Sequence, residues 1–193
     1  MCHSVLKDSR LWSFLLFADR DLAREVRDKG CPFCGGTLHC GDYPRKPRGG
    51  PVDLPPEFRR RFSFSCSADG CRRRATPPSV RFLGPKVYLK VLVILLTAMR
   101  QGPTAKGFQE LHRLFDVSRR TIARWQAWWK EMFPKLAFWR SARARFSPPL
   151  DERALPCQLI SVFAADSSAE KMLLLLRFLS PITCRSGVRL LDF

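Results

Sequence analysis

The residues best suited to chemistry are two close cysteine pairs. The first reads Cys31-Pro32-Phe33-Cys34-Gly35-Gly36, the second Cys66-Ser67-Ala68-Asp69-Gly70-Cys71. Thiolates are good ligands for zinc, which takes four donors in a tetrahedron. A spacer of two or four residues lets the chain turn so that both sulfurs of a pair face one ion, and glycine permits the positive backbone angles of such a turn. Cys31, Cys34, Cys66 and Cys71 are therefore expected to hold one structural Zn2+. The first pair has the common two-residue spacer. The second has four residues, and 31 residues separate the pairs, a longer gap than zinc ribbons usually show. Two disulfides, or unrelated buried thiols, are the alternatives, and His39 is an alternative ligand. Of the eight cysteines, Cys2, Cys40, Cys157 and Cys184 are left over and read as free thiols.

Composition points to a polyanionic partner. The 193 residues carry 34 basic and 17 acidic side chains, a net charge of +17. Nucleic acid is the commonest partner for such a charge. An acidic membrane or an acidic protein would also answer it. The apolar run from Val87 to Met99 has 13 residues and includes Lys90, too short for a membrane span of roughly 20. The run from Leu11 to Ala18 is followed by Asp19-Arg20-Asp21 instead of a cleavage site, so it reads as part of an amphipathic helix rather than a signal peptide. The expected setting is a reducing cytoplasm, in association with the nucleoid, where thiols bind metal rather than pair.

These groups need elements to position them. Leu11, Leu15, Leu22 and Val26, widened by Trp12 and Leu16, predict a helix over 8–28 that packs on the metal unit. Phe62, Phe64 and Cys66 alternate with polar residues, which predicts a strand from Phe58 into the second pair, matched by one from Thr37 towards Tyr43. The proline- and glycine-rich stretch 43–51 reads as lacking regular structure. Arg72-Arg73-Arg74, with Arg45, Lys46 and Arg48, would make a basic rim around the metal. After the break at Thr76-Pro77-Pro78-Ser79, residues 85–99 read as a buried helix.

Two short helices follow. Thr104 can cap the first, which turns Phe108, Leu111, Leu114 and Phe115 inward. Ser118 can cap the second, whose inner face is Ile122, Trp125 and Trp129 at spacings of three and four. Two such helices joined by a short turn describe a helix-turn-helix. Residues 104–130 resemble the helix-turn-helix of transposases and bacterial repressors. The matching positions are Val117-Ser118, the polar pair Arg119-Arg120, then Thr121, Ile122 and Arg124. Asp116 stands where the family usually has glycine, and aspartate tolerates the left-handed conformation such a turn demands. With the upstream cysteine ribbon, the span 31–133 resembles the N-terminal DNA-binding half of insertion-sequence transposases.

The resemblance implies that Arg119, Arg120 and Arg124 enter the major groove of double-stranded DNA. Thr121 would touch phosphate, and Arg72, Arg73 and Arg74 would add contacts. It leaves room for a homodimer or a separate catalytic subunit as partner. Beyond Phe133 only 60 residues remain, with Asp151, Glu152, Asp166, Glu170 and Asp192 as carboxylates. Cutting DNA by metal-ion chemistry needs carboxylates placed around the scissile phosphate, on a domain of roughly 100 residues or more. No catalytic triad is expected here. Pro148-Pro149 reads as a linker, and Ser167, Ser168 and Glu170 as the capped start of a last helix over 166–179.

The expected fold is mainly α, with a small antiparallel zinc ribbon, a helix-turn-helix bundle and a helical tail. Its expected units are an N-terminal helix (1–28), the ribbon (29–80), the DNA-binding domain (81–147) and a linker with a C-terminal helix (148–193). The expected function is that of a sequence-specific DNA-binding protein associated with a mobile element, whether a transposase half, an accessory protein or a remnant. The alternatives are a transcriptional regulator, an enzyme whose site the sequence does not display, and a zinc-stabilised scaffold for an acidic protein.

Overall fold

A computed structural model describes residues 9–48, 50, 54–83, 88–98 and 117–184. It is mainly α-helical with small antiparallel sheets. Helix α1, Ser9–Lys29, buries Leu11, Trp12, Leu15, Leu16, Ala18, Leu22, Ala23 and Val26 on one face, as the apolar spacing dictates. It stops at Gly30, which takes a φ of 79° and donates its N–H to the carbonyl of Arg27.

Five short strands follow: β1 Leu38–Cys40, β2 Tyr43–Pro44, β3 Arg60–Arg61, β4 Phe64–Cys66 and β5 Arg74–Ala75. β4 lies between β1 and β5, antiparallel to both, with Leu38 opposite Cys66 and Phe64 opposite Ala75. β2 pairs with β3, Tyr43 opposite Arg61. Residues 38–44 and 60–66 are thus two arms of one long hairpin, which accounts for the wide spacing between the cysteine pairs. The stretch 43–51 is accordingly not wholly irregular, because its first two residues find strand partners. Nor is 58–66 one strand. Pro56–Arg59 is a 3-10 turn, and the buried Arg81 guanidinium donates to the carbonyls of Glu57, Phe58 and Arg60. A side chain there supplies hydrogen bonds that a neighbouring strand would otherwise give.

Helix α2, Lys90–Thr97, is buried through Val91, Val93, Ile94 and Leu95. The expected helix over 85–99 starts later than read, because Tyr88 and Leu89 are extended and bridge to Arg48 and Phe82, and Ala98 is its C-cap. Residues 85–87 and 99, and the whole first helix of the expected helix-turn-helix with its turn residue Asp116, lie outside the described residues. Helix α3, Arg119–Ala127, starts on Ser118, whose hydroxyl accepts from the Thr121 amide at 3.2 Å. It runs into a π-turn at Trp128–Met132. Three further α-helices follow among the described residues: α4 Ala137–Ala142, α5 Cys157–Val162 and α6 Ser168–Phe178. The capping box at the start of α6 is present as read: Ser167 accepts from the Glu170 amide, and the Glu170 carboxylate accepts from the Ser167 amide. Helix α5 was not among the expected elements.

Three apolar clusters hold these elements. The largest takes Leu11 and Leu15 from α1, Phe58 and Val80, Ile94 from α2, Trp129, Phe133 and Trp139, then Leu159, Met172 and Leu176. It draws on all four of the units expected from sequence. The segment after Pro148 is part of this core, with Arg177 of α6 reaching Asp21 of α1 at 3.6 Å. A second cluster joins Ala23 and Val26 of α1 to Cys31, Leu38, Phe64, Cys66 and Ala75. α1 thus packs on the metal unit as expected. The third joins Leu83 and Val93 to Val117, Ile122 and Trp125.

Where α1, the hairpin and α2 meet, the core is polar. Asp19 and Arg81 form an ion pair at 2.7 Å with both side chains fully buried. The Asp19 carboxylate also accepts from the Ser79 hydroxyl and the Val80 amide, each at 2.6 Å. Lys90, also fully buried, donates to the carbonyls of Ser79 at 3.3 Å and Leu176 at 3.1 Å.

Candidate metal centre and arginine faces

The first cysteine pair sits on the turn between α1 and β1, the second on the turn between β4 and β5. Because β1 pairs with β4, the two turns emerge at the same end of the sheet and face each other. The sulfurs of Cys31, Cys34, Cys66 and Cys71 all lie within 4.8 Å of one another. Cys31 and Cys71 are 3.8 Å apart, and Cys34 and Cys66 3.5 Å. A disulfide needs about 2.05 Å, so these are free thiols. A tetrahedral ion with ligands at about 2.3 Å sets its sulfurs about 3.8 Å apart. The cluster fits a structural metal ion. It is complete without His39, which is exposed on β1 opposite Ser65.

The four ligands share one local pattern. Each sulfur accepts from the backbone amide two residues on: Phe33 for Cys31, Gly36 for Cys34, Ala68 for Cys66 and Arg73 for Cys71. In each turn the residue after the second cysteine is left-handed, Gly35 at φ 75° and Arg72 at φ 45°. Gly36 serves by its smallness: a Cβ there would lie 3.2 and 3.3 Å from the sulfurs of Cys66 and Cys34.

The thiols influence one another. For Cys31 burial pushes upward, but the amides of Phe33 and Cys34 and the thiols of Cys34 and Cys71 bring it down to about 7. For Cys34, Cys66 and Cys71 the amides of Gly36, Ala68 and Arg73 pull downward. Crowding by neighbouring thiols together with burial outweighs them and leaves all three raised. Four thiolates cannot share this space without a cation among them, which is the electrostatic condition of a metal site.

Arg72, Arg73 and Arg74 are all exposed beside this centre, and each guanidinium has a neighbour. Arg72 pairs with Asp69, Arg73 stacks on the Phe33 ring at 4.8 Å, and Arg74 donates to the Gly41 carbonyl while lying over Tyr43 at 5.6 Å. On α3 the inward residues are Ile122, Trp125 and, just beyond, Trp129, all buried. Arg119, Arg120 and Arg124 are exposed. Thr121 is buried, its hydroxyl within 3.0 Å of Ser118 Oγ and accepting from Arg124 at 3.3 Å. It completes the helix cap and orients Arg124.

The two arginine faces are linked through the fold. Leu89 donates its N–H to the carbonyl of Arg48, near the hairpin tip, and the adjacent Tyr88 ring meets Trp125 of α3 edge-on at 5.0 Å.

Of the carboxylates weighed for catalysis, Asp192 lies outside the described residues, and three have local structural tasks. Asp151 accepts from the Arg153 amide, Glu152 from Trp139 Nε1 and Arg143, and Glu170 caps α6. Among the described residues, the one cluster of metal-ligating side chains is the four cysteines. No described helix is long and apolar enough to cross a membrane.

In sequence, Phe33 is only a spacer residue, and nothing marks Arg72 as left-handed. The first could have been found only by knowing that its ring faces outward. Family models, characterised proteins and solved structures give no match to this chain.

Proposed function

We propose that this protein is a sequence-specific DNA-binding module built around one structural zinc ion, with the chemistry of the DNA-binding half of a mobile-element transposase. The observation that carries the reading is the division of α3. Three arginines stand outward in its first two turns while Ile122, Trp125 and Trp129 fix its opposite face in the core. The first turns of such a helix are the part that reaches base edges in a major groove, and arginine can donate two hydrogen bonds to guanine. The charge of +17 supplies the attraction to phosphate.

In this reading the zinc ion is held by Cys31, Cys34, Cys66 and Cys71 and contributes folding free energy to the hairpin, as structural zinc does. Duplex DNA is the partner, and Arg72 to Arg74 flank the metal as a second, accessory basic surface.

The test is substitution of Arg120 and Arg124 by alanine, with binding measured on a site selected from random duplexes and on unselected DNA. Loss concentrated on the selected site, about 1–3 kcal/mol per arginine, is the expected result. Equal loss on both DNAs reduces the arginines to phosphate contacts. No loss on either removes α3 as a recognition helix.

A further inference from the structure

Phe33 is a large apolar side chain left 43% exposed on the turn between two metal ligands. Its ring is not simply turned to solvent. The Arg73 guanidinium lies over it, 4.8 Å from the ring centroid. The two residues come from different cysteine pairs, 40 positions apart, and the metal cluster brings them together. Both are held by their backbones. The Phe33 amide donates to the Cys31 sulfur, and the Arg73 amide to the Cys71 sulfur. The Arg73 carbonyl also accepts from the Cys66 amide at 3.0 Å. A flat ring and a flat cation are thus fixed against each other at the surface, with the exposed Arg72 next in the chain.

We propose that the Phe33–Arg73 pair is a stacking site for an unpaired nucleobase, so that the metal unit takes a single-stranded nucleic acid segment while α3 takes duplex. The inference deepens the DNA-binding reading and rests on it. Bases inside a duplex have their faces covered by neighbours and offer only edges and phosphates, for which arginines alone suffice. An exposed aromatic ring gains from nucleic acid only where a base face is open, and every base has such a face. An arginine already lying on the ring adds a second planar surface and a charge for the adjoining phosphate. Because both halves hang from ligand sulfurs, the site costs little ordering on binding.

The test uses the full zinc-loaded chain and two fluorescent probes, a blunt duplex and an oligothymidine strand, read by anisotropy. The variants are Phe33→Leu, which keeps bulk and loses the π-face, and Phe33→Trp, which keeps both. The wild type and Phe33→Trp are expected to bind oligothymidine alike, with Phe33→Leu weaker by about fivefold or more. Blunt-duplex affinity is expected to be the same for all three. Equal loss on both probes, or no loss on either, overturns the stacking site and leaves the duplex reading standing. A wild-type chain that binds duplex but not oligothymidine does the same. A wild-type chain that binds neither probe overturns the DNA-binding reading itself.

Discussion

Asp19→Asn should be among the most damaging conservative changes in this chain. The substitution keeps the shape of the side chain, so it opens no cavity, and removes only the charge and part of the acceptor capacity. Asp19 Oδ2 accepts from Arg81 Nε at 2.7 Å and from Ser79 Oγ at 2.6 Å, and Oδ1 accepts from the Val80 amide at 2.6 Å. Both members of the ion pair are fully buried. With the carboxylate gone, the Arg81 charge has no counter-ion in direct contact and no water to solvate it. Breaking such a pair costs about 3–5 kcal/mol, against a total stability of about 5–15. At a urea slope of about 2 kcal/mol per molar, the unfolding midpoint should fall by about 1.5–2.5 M with the slope unchanged. Removing the stranded charge as well, in Asp19→Asn with Arg81→Met, should cost less than the sum of the two single changes. A midpoint shift under about 0.5 M for Asp19→Asn would refute the reasoning, since the pair would then contribute no more than an exposed one.

Two further tests separate local causes. Gly35→Ala meets nothing within 4 Å and bears only the strain of φ 75°, so it should cost about 1 kcal/mol of stability and leave metal affinity near wild type. Gly36→Ala puts a Cβ 3.0 Å from Ala68 and against two ligand sulfurs, so a chelator competition assay should show the larger loss of affinity there. Burial pushes the Lys90 amine well below its ordinary value, an effect reinforced by Arg61 and opposed by Asp19 and Cys184. For a base depressed in the fold, the unfolded chain binds more protons, so stability rises with pH up to the unfolded value near 10.4. Wild type should therefore gain stability relative to Lys90→Met between about pH 7 and 10, and urea midpoints that keep a constant gap would contradict it.

The parts legible in the sequence were those with short-range grammar. The α1 stripe, the Ser118 cap with Ile122 and Trp125 inward, and the Ser167–Glu170 capping box each depend on residues within one or two helical turns. The four ligands were legible for the same reason, since a cysteine pair with a glycine turn is nearly a complete local instruction. The register that brings the two pairs together was not local. It follows from β1 meeting β4 across a long hairpin, whose gap looked too wide for a ribbon. Asp19, Ser79, Arg81 and Lys90 had no motif at all. Their meeting depends on three elements packing at once, and Lys90 read only as an interruption in an apolar run. The tail after Pro148 looked like a linker because proline pairs usually mark one. Here Leu155, Leu159, Met172 and Leu176 return the chain to the main core.

The most direct test of the central claim is the salt dependence of duplex binding by the zinc-loaded chain. Each phosphate neutralised contributes a slope of about −0.9 to the plot of log affinity against log salt. With a net charge of +17, engagement of about five or six basic side chains on phosphate would give a slope of about −5. A slope of that order is expected on selected and unselected duplex alike, little changed when the base-reading Arg120 and Arg124 are replaced by alanine. A slope near zero from low to physiological salt would contradict it.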